Sequence, residues 1–169
     1  IIIGSGVDQL LGILGQLFPP GCSVALEDPG YPEAAGALRR QGHVPLPIPL
    51  DEQGPQMEGL RASGAALLYI TPSHQFPTGL SMPAGRRTAL LHWAAEGERY
   101  LIEDDYDSEF RYASRPLPAL QGMDGGQKVI YIGTFSRSLA PGLRAAYMAL
   151  PRPLLERYEA LRLRSGDTV

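Results

Sequence analysis

The sequence predicts an α/β fold built on a mostly parallel sheet, and two observations support this class. Short apolar runs typical of buried strands alternate with amphipathic segments of helical period. Hydrophobic residues make up 44% of the 169 residues, which is enough for one buried core. In a parallel sheet joined by right-handed crossovers, ligands bind beyond the carboxyl ends of the strands. The loops that follow the predicted strands are therefore the candidate site.

In the first half of the chain, each predicted helix follows a strand and ends at a helix breaker. Apolar residues recur at i, i+3, i+4 and i+7 over residues 7–18, and a Pro-Pro-Gly run at 19–21 ends this helix. Within residues 44–50, prolines at 45, 47 and 49 alternate with apolar residues. Proline has no N–H to donate to a neighbouring strand, so this segment favours a sheet edge. The predicted elements are a strand at 1–3, a helix at 7–18, a strand at 23–27, a rigid turn at 28–32, a short helix at 33–41 and an edge strand or extended segment at 44–50.

The second half continues the alternation of apolar runs with helical segments. The longest helical segment begins at Pro83 and places Leu90, Trp93 and Ala94 on one face. The last helix has a polar face of arginines and glutamates. The predicted strands are 66–71, 100–103, 129–133 and 145–150, and the predicted helices are 56–62, 83–98 and 153–164, with a loop at 72–79.

The composition excludes several classes of protein. A net charge of −3 argues against nucleic-acid binding by the chain as a whole. The single cysteine, Cys22, excludes a disulfide framework and a Cys-rich zinc site. No apolar run approaches 18 residues, so we expect no membrane contact and a cytoplasmic location. Lys128 is the only lysine of the sequence, and any chemistry that requires a lysine depends on it.

Two of the loops are suited to an anion. Gly4-Ser5-Gly6 lies between a strand and a helix, where the helix N-terminus offers free N–H groups, although plain turn chemistry explains it equally well. The segment 134–144 combines hydroxyls, small residues and two arginines, which together suit a phosphate. The alternative is a polar loop whose arginines pair with the acidic segment at 103–109.

That acidic segment, EDDYDSE, follows the predicted strand at 100–103 and has three possible interpretations. Its carboxylates could bind a divalent metal. They could form a solvated acidic loop. One buried carboxylate could instead pair with a cationic ligand atom, with a neighbouring tyrosine hydroxyl as donor. Composition alone does not choose among the three.

Four stretches taken together resemble the large domain of fold-type I pyridoxal-phosphate enzymes, the aspartate aminotransferase superfamily. More narrowly, they resemble the aminotransferase-like domain of MocR-type (GntR family) transcription regulators. The resemblance implies a three-layer α/β/α domain with a sheet of about seven strands. The stretches are EDPGYP at 27–32, TPSHQFPTG at 71–79, IEDDYDSEFRY at 102–112 and YIGTFSRSLAPGLR at 131–144.

The resemblance assigns the cofactor, pyridoxal 5'-phosphate, to particular residues. Asp104 pairs with the pyridinium nitrogen, which makes the ring an electron sink. Tyr106 binds the phenolic oxygen of the cofactor, and Tyr31 stacks on the ring. His74 and Gln75 line the edge of the ring. The residues implied to hold the phosphate are Ser5, Gly6, Val7, Thr134, Ser136 and Arg144.

The sequence departs from the family pattern at its catalytic position. The family places a Schiff-base lysine seven residues before the phosphate-binding arginine, and here that position is Arg137. A guanidinium stays protonated and is a poor nucleophile towards an aldehyde. Lys128 precedes the strand at 129–133 and is expected near the opposite end of the sheet. We therefore predict non-covalent cofactor binding and a chain that is inactive or nearly so, although Arg137, Asp104 and Tyr106 occupy the catalytic positions.

A second departure is Asp8, where the resemblance implies glutamine, because a negative charge near a phosphate is unfavourable unless it points away. The resemblance also implies that residues 1–169 form a single incomplete large domain. The C-terminal small domain and an N-terminal DNA-binding domain would then lie outside this chain. The parent protein is expected to be a homodimer that contacts DNA only through that further domain.

Three functions remain open at the level of sequence. The chain could be the sensor domain of a regulator, which binds cofactor and an amino compound as effector. It could be the large domain of a class I/II aminotransferase, carrying an inactivating change at Arg137 and taking an amino compound as substrate. It could also be a fragment that binds no cofactor.

Overall fold

The computed structural model describes residues 1–107, 117–135 and 145–165 of the chain. Within these residues, eight strands form one sheet and six helices pack against it. The strands are β1 (Ile2–Gly4), β2 (Ser23–Asp28), β3 (Val44–Asp51), β4 (Gly54–Pro55), β5 (Leu67–Ile70), β6 (Tyr100–Asp105), β7 (Val129–Thr134) and β8 (Ala146–Ala149). The helices are α1 (Val7–Gly15), α2 (Pro32–Arg40), α3 (Met57–Ala62), α4 (Ala84–Ala95), α5 (Leu120–Asp124) and α6 (Arg152–Ser165).

The sheet is mostly parallel, as predicted. Its strand order is β1-β8-β7-β6-β5-β2-β3-β4. The five strands from β7 to β3 in this order run parallel, whereas β8 is antiparallel to both β7 and β1. Strand β1 therefore runs in the same direction as β7. As a consequence, β1, β2, β5, β6 and β7 all end at one edge of the sheet, which we call the carboxyl edge.

Helices cover both faces of the sheet, which confirms the three-layer arrangement. The first core cluster joins residues of α1, α2 and α6, such as Leu10 and Leu38, to side chains that alternate along the strands, such as Leu26 and Ile102. The second core cluster joins α3, α4 and α5 to the opposite face of the strands, with Trp93 at 1% exposure. Side chains of one strand point alternately to the two clusters.

Strand β3 confirms the interpretation of the proline-rich segment. Its residues 44–49 pair with the whole of β2, from Ser23↔Val44 to Asp28↔Pro49. The N–H of Val44 donates to the carbonyl of Cys22 at 3.0 Å, so the prolines alternate with the residues whose N–H groups face β2. Their missing N–H groups fall on the outer side, where only the two-residue strand β4 pairs, at the end of β3. Within the described residues the sheet has eight strands, against about seven expected.

Further differences from prediction include the end of α1 and the presence of α5. Helix α1 stops at Gly15 rather than at residue 18, yet Leu17 and Phe18 stay buried in the first core cluster. Helix α5, with five residues, was not predicted because it is too short to show a helical period. Across the part of the chain that the structure describes, every helix is too short or too polar to traverse a lipid bilayer.

Candidate functional site

The loops predicted to form the site follow strands that end at the carboxyl edge. They begin after Gly4 of β1, Asp28 of β2, Ile70 of β5, Asp105 of β6 and Thr134 of β7. Strands β7, β6, β5 and β2 are consecutive neighbours in the sheet, so the loops after them lie side by side. Three of the predicted site residues lie outside the described residues, namely Ser136, Arg137 and Arg144.

Asp104 is a buried carboxylate, and among the described residues only one of its two oxygens has a hydrogen-bond partner. It pairs with Ile132 across β6 and β7, so it points to the face of the first core cluster, and it is 4% exposed. Its Oδ2 accepts a hydrogen bond from the hydroxyl of Tyr69. Its Oδ1 is buried and has no hydrogen-bond partner among the described residues. Burial raises the pKa of Asp104 to about 7, with Tyr69 opposing the rise and the charges of Asp105 and Asp107 adding to it. An acceptor of this kind suits a cationic N–H donor.

Three further residues of the predicted site are joined by contacts. The rings of His74 and Tyr106 stack with centroids 6.2 Å apart and an interplanar angle of 23°. Nδ1 of His74 lies 2.6 Å from Oδ2 of the buried Asp107. The hydroxyl of Thr134 donates to the carbonyl of Tyr106 at 3.4 Å. The loops after β5, β6 and β7 therefore hold His74, Tyr106 and Thr134 in one connected group.

Tyr31 follows a tight turn at the end of β2 and precedes the first residue of α2. Its ring meets Phe76 edge to face, with centroids 5.9 Å apart. The turn requires glycine at position 30, because a Cβ there would lie 2.2 Å from the carbonyl oxygen of Glu27. This turn brings an aromatic ring beside the loop that carries His74.

Ser5, Gly6 and Val7 form the entry to helix α1. Gly6 has φ 148° and ψ 172°, a conformation accessible essentially to glycine alone. The backbone N–H and the hydroxyl of Ser5 both donate to Oε1 of Gln9, at 2.6 and 3.0 Å. The first N–H groups of a helix have no acceptor inside it and carry the positive end of its dipole. This entry is therefore suited to an anion.

Asp8, expected to disfavour a phosphate, is paired. Its Oδ1 accepts a hydrogen bond from Arg40 of α2, and both side chains are about 60% exposed. The carboxylate thus faces α2, and its charge is balanced there.

The acidic segment is mostly buried, so its interpretation as a solvated loop is wrong for the part that is described. Glu103 accepts the N–H groups of Leu120 and Gln121, at 2.8 and 2.9 Å, at the start of α5. Asp105 accepts the hydroxyl of Tyr131 at 2.8 Å. Within the described ranges, no three His, Cys, Asp or Glu side chains are grouped closely enough to hold a metal ion. Each of these carboxylates has a different partner. Asp104 has the burial and the tyrosine donor of the third interpretation, and its pairing with a cationic ligand atom stays a prediction.

Lys128 lies at the opposite end of the sheet, as predicted. It immediately precedes β7, and its Nζ donates to the carbonyl of Gly97 at 2.8 Å and lies 5.2 Å from the ring centre of Tyr100. Tyr100 is the first residue of β6, and Asp104 lies four residues further along the strand, or about 13 Å away. The only lysine is therefore held away from the carboxyl edge.

Tyr69 and Glu27 are buried beside Asp104, and the sequence alone assigned no role to either residue. Oε2 of Glu27 accepts hydrogen bonds from the N–H and the hydroxyl of Thr71, at 3.1 and 2.9 Å, whereas its Oε1 is buried with no partner among the described residues. Burial raises the pKa of Glu27 to about 7, and the charge of Asp104 adds to the rise. The available signals were a tyrosine within the aliphatic run of β5 and a glutamate directly after the aliphatic residues of β2.

Gln75 supports this region instead of facing open space. It is 2% exposed, and its side-chain amide donates to the carbonyl of Pro29 at 2.9 Å while accepting the hydroxyl of Thr78 at 2.6 Å. Its polar atoms therefore join the loop after β5 to the turn that carries Tyr31.

Comparison with known proteins identifies relatives of two kinds. The chain is 49% identical over 157 residues to the uncharacterized HTH-type transcriptional regulator YdeL of Bacillus subtilis, a match that covers 93% of this chain and 34% of that protein. It is 34% identical over 167 residues to the probable rhizopine catabolism regulatory protein MocR of Rhizobium meliloti, covering 98% of this chain and 34% of that protein. The chain thus spans about a third of the length of these relatives.

The fold is also that of a solved enzyme. A kynurenine aminotransferase from Pyrococcus horikoshii, determined in complex with PMP, superposes with a TM-score of 0.84 at 33% identity, over 98% of this chain and 43% of that one. The sequence profile of the family "Aminotransferase class I and II" matches residues 1–165. The chain therefore belongs to the class I and II aminotransferase family.

Proposed function

We propose that this chain is the aminotransferase-like domain of a MocR-type transcriptional regulator. In this proposal it binds pyridoxal 5'-phosphate without covalent attachment and senses an amino compound as effector. Two of the relatives, YdeL and MocR, are named as regulators, and their similarity covers at least 93% of this chain. DNA contact belongs to a segment of the regulator outside these 169 residues.

The buried, unpartnered Oδ1 of Asp104 among the described residues is the observation that supports cofactor binding most strongly. The pyridine nitrogen of pyridoxal phosphate becomes a cationic N–H donor when protonated, and it needs an anionic acceptor in a dry place. Oδ1 of Asp104 is buried, unpartnered among the described residues and negatively charged once ionised. A carboxylate that is left half satisfied in a core is costly unless a ligand completes it. The residues present therefore fit the group.

The other described residues have consistent roles. Ser5, Gly6 and Val7, at the N-terminus of α1, bind the phosphate, and the hydroxyl of Thr134 is a second candidate donor. Tyr31 packs on the ring face, and Tyr106, stacked on His74, donates to the phenolic oxygen. Ser136 and Arg144 are proposed to complete phosphate binding. When bound, the cofactor supplies an electron sink for chemistry at an amino group.

Arg137 distinguishes a sensor from an enzyme in this proposal. Amino transfer requires a base that gives and takes a proton near the cofactor, a role that a permanently protonated guanidinium cannot fill. Lys128 is held by the carbonyl of Gly97 at the other end of the sheet. The domain therefore retains its cofactor through non-covalent contacts and recognises the amino compound without turning it over.

Pyridoxamine phosphate is the probe that tests this proposal most cleanly. It has no aldehyde, so it cannot react with Lys128 or with the N-terminal amine. Isothermal titration calorimetry of the chain should show saturable 1:1 binding, which added pyridoxal phosphate displaces. Incubation with pyridoxal phosphate, a panel of amino acids and a 2-oxo acid should yield no amino transfer. Absence of binding contradicts the cofactor role, and catalytic turnover contradicts the sensor role in favour of an aminotransferase.

A further inference from the structure

We propose that Tyr69 is a positioning residue that fixes the Asp104 carboxylate so that one oxygen, Oδ1, is left for the ring nitrogen of the cofactor. The inference rests on the proposed function, because it assigns a second residue to the same binding event. Tyr69 acts through Asp104, which accepts its hydroxyl.

The two residues are brought together by the register of adjacent strands. Tyr69 of β5 pairs with Ile102 of β6, so Asp104 lies two residues further along β6 on the same face of the sheet. Tyr69 is 1% exposed and packs within the first core cluster, where its ring has little freedom to turn. Its hydroxyl donates to Oδ2 of Asp104 from a position that the core fixes.

The hydroxyl of Tyr69 remains a donor at any working pH. Burial, and then the negative charge of Asp104, raise the pKa of Tyr69 well above its ordinary value. The phenol therefore stays protonated and occupies one carboxylate oxygen with a neutral group. Because this partner carries no charge, the negative charge of Asp104 is not cancelled and remains available to a cation at Oδ1.

Among the described residues, the acidic groups near Asp104 oppose its ionisation. These groups are Glu27 on β2, Asp105 at the end of β6, and Asp107 two residues after that strand. Burial raises the pKa of Asp104, and the hydrogen bond from Tyr69 lowers it. Among these neighbours, Tyr69 is the one that favours the charged form of the carboxylate. Without it, Asp104 would enter the neutral form more readily and lose its attraction for a pyridinium ion.

A substitution that removes only the hydroxyl separates this role from packing. Tyr69→Phe keeps the ring in the first core cluster. Tyr100→Phe is the matched control, since Tyr100 is 5% exposed, belongs to the same cluster and begins β6 at the far end from Asp104. Both variants remove the hydroxyl of a buried tyrosine residue, and only Tyr69→Phe removes the donor to Asp104.

The decisive readout is the titration of Asp104 in the cofactor-free chain, followed by the 13C shift of its side-chain carboxyl. We expect Tyr69→Phe to move the midpoint to higher pH by about one to two units, the value of a hydrogen bond to a charged group. Tyr100→Phe should leave the midpoint where it is in the unsubstituted chain. An Asp104 midpoint that Tyr69→Phe leaves unchanged, or lowers, overturns the inference.

Cofactor binding is measured separately so that the two proposals fail in different ways. Pyridoxamine phosphate should bind Tyr69→Phe about tenfold more weakly than it binds the unsubstituted chain or Tyr100→Phe. If the midpoint moves but the unsubstituted chain binds no pyridoxamine phosphate, the proposed function is contradicted while the hold of Tyr69 on Asp104 is supported. If the midpoint moves and the three chains bind the probe equally well, the positioning role is overturned.

Discussion

Thr71 donates both its backbone N–H and its hydroxyl to one oxygen of Glu27, and so ties the end of β5 to the end of β2. Both residues are buried, with exposures of 2% and 6%. The pair holds together the two loops that carry Tyr31 and His74. It also leaves a second acidic group buried near Asp104, and this has a consequence for the pH dependence of stability.

The first prediction is that the chain becomes less stable as the pH rises from about 4.5 to about 7. In the folded chain the pKa of Glu27 is raised to about 7 from an ordinary value of 4.5. Between these values the folded state binds more protons than the unfolded state, so the free energy of unfolding falls with rising pH. The loss from Glu27 is about 3 kcal/mol across the window. Urea unfolding at a series of pH values measures it.

Glu27→Gln should flatten this pH dependence, because an amide side chain does not titrate in this pH range. Part of the slope should persist, since burial also raises the pKa of Asp104 to about 7. Glu52→Gln, at an exposed turn position, is the matched control and should keep the slope of the unsubstituted chain. A stability that rises with pH through this window would contradict the assignment.

A second prediction concerns the oxygen that we assign to the cofactor. Asp104→Asn should weaken pyridoxamine phosphate binding by about 10- to 100-fold, because the amide offers the ring nitrogen no negative charge. Asp105→Asn is the control, since Asp105 is equally buried on the same strand but points to the opposite face, where it binds Tyr131. Calorimetric titration of both variants decides the matter. Equal affinities for the two variants would rule out Asp104 as the pyridinium partner.

A third prediction separates structural from ligand-binding carboxylates in the acidic segment. Glu103→Ala should lower the free energy of unfolding by about 2 kcal/mol, because the N–H groups of Leu120 and Gln121 lose their acceptor. Glu103→Gln retains one oxygen and should cost less. Neither variant should alter cofactor affinity at a temperature where it is folded. A large loss of affinity with unchanged stability would place Glu103 in the binding site instead.

A fourth prediction tests whether Arg40 offsets the charge of Asp8. Arg40→Ala should reduce affinity for pyridoxamine phosphate a fewfold at low salt, because it leaves Asp8 unbalanced near the N-terminus of α1. Adding Asp8→Asn to that variant should restore the affinity. Stability should change little, since exposed ion pairs contribute at most about 1 kcal/mol. Arg39→Ala, the neighbouring exposed arginine, serves as control, and an equal effect from it would indicate a general electrostatic field.

Much of the fold follows from local pattern. The alternating prolines of β3 predicted a sheet edge, because proline has no N–H and is tolerated only where that side of the strand has no partner strand. The two-residue β4 and the five-residue α5 could not be predicted, because neither is long enough to show a period. Their existence depends on tertiary partners, such as Glu103 at the start of α5.

The candidate site was predicted as a set of loops, and its internal contacts were not. The spacing of Asp104 and Tyr106 placed both residues at the end of β6. The hydrogen bond between Tyr69 and Asp104 joins residues 35 positions apart and depends on the register of β5 against β6. Pairing of this kind has no local signature, so the burial of Asp104 and the role of Tyr69 required the structure.

Borohydride reduction tests most directly whether Arg137 precludes covalent attachment of the cofactor. The unsubstituted chain and Arg137→Lys are each saturated with pyridoxal phosphate, reduced and mapped by peptide mass spectrometry. We predict no stoichiometric adduct on the unsubstituted chain, although it binds the cofactor, and a reducible attachment at position 137 of Arg137→Lys. A stoichiometric adduct on the unsubstituted chain, at Lys128 or elsewhere, would contradict non-covalent binding.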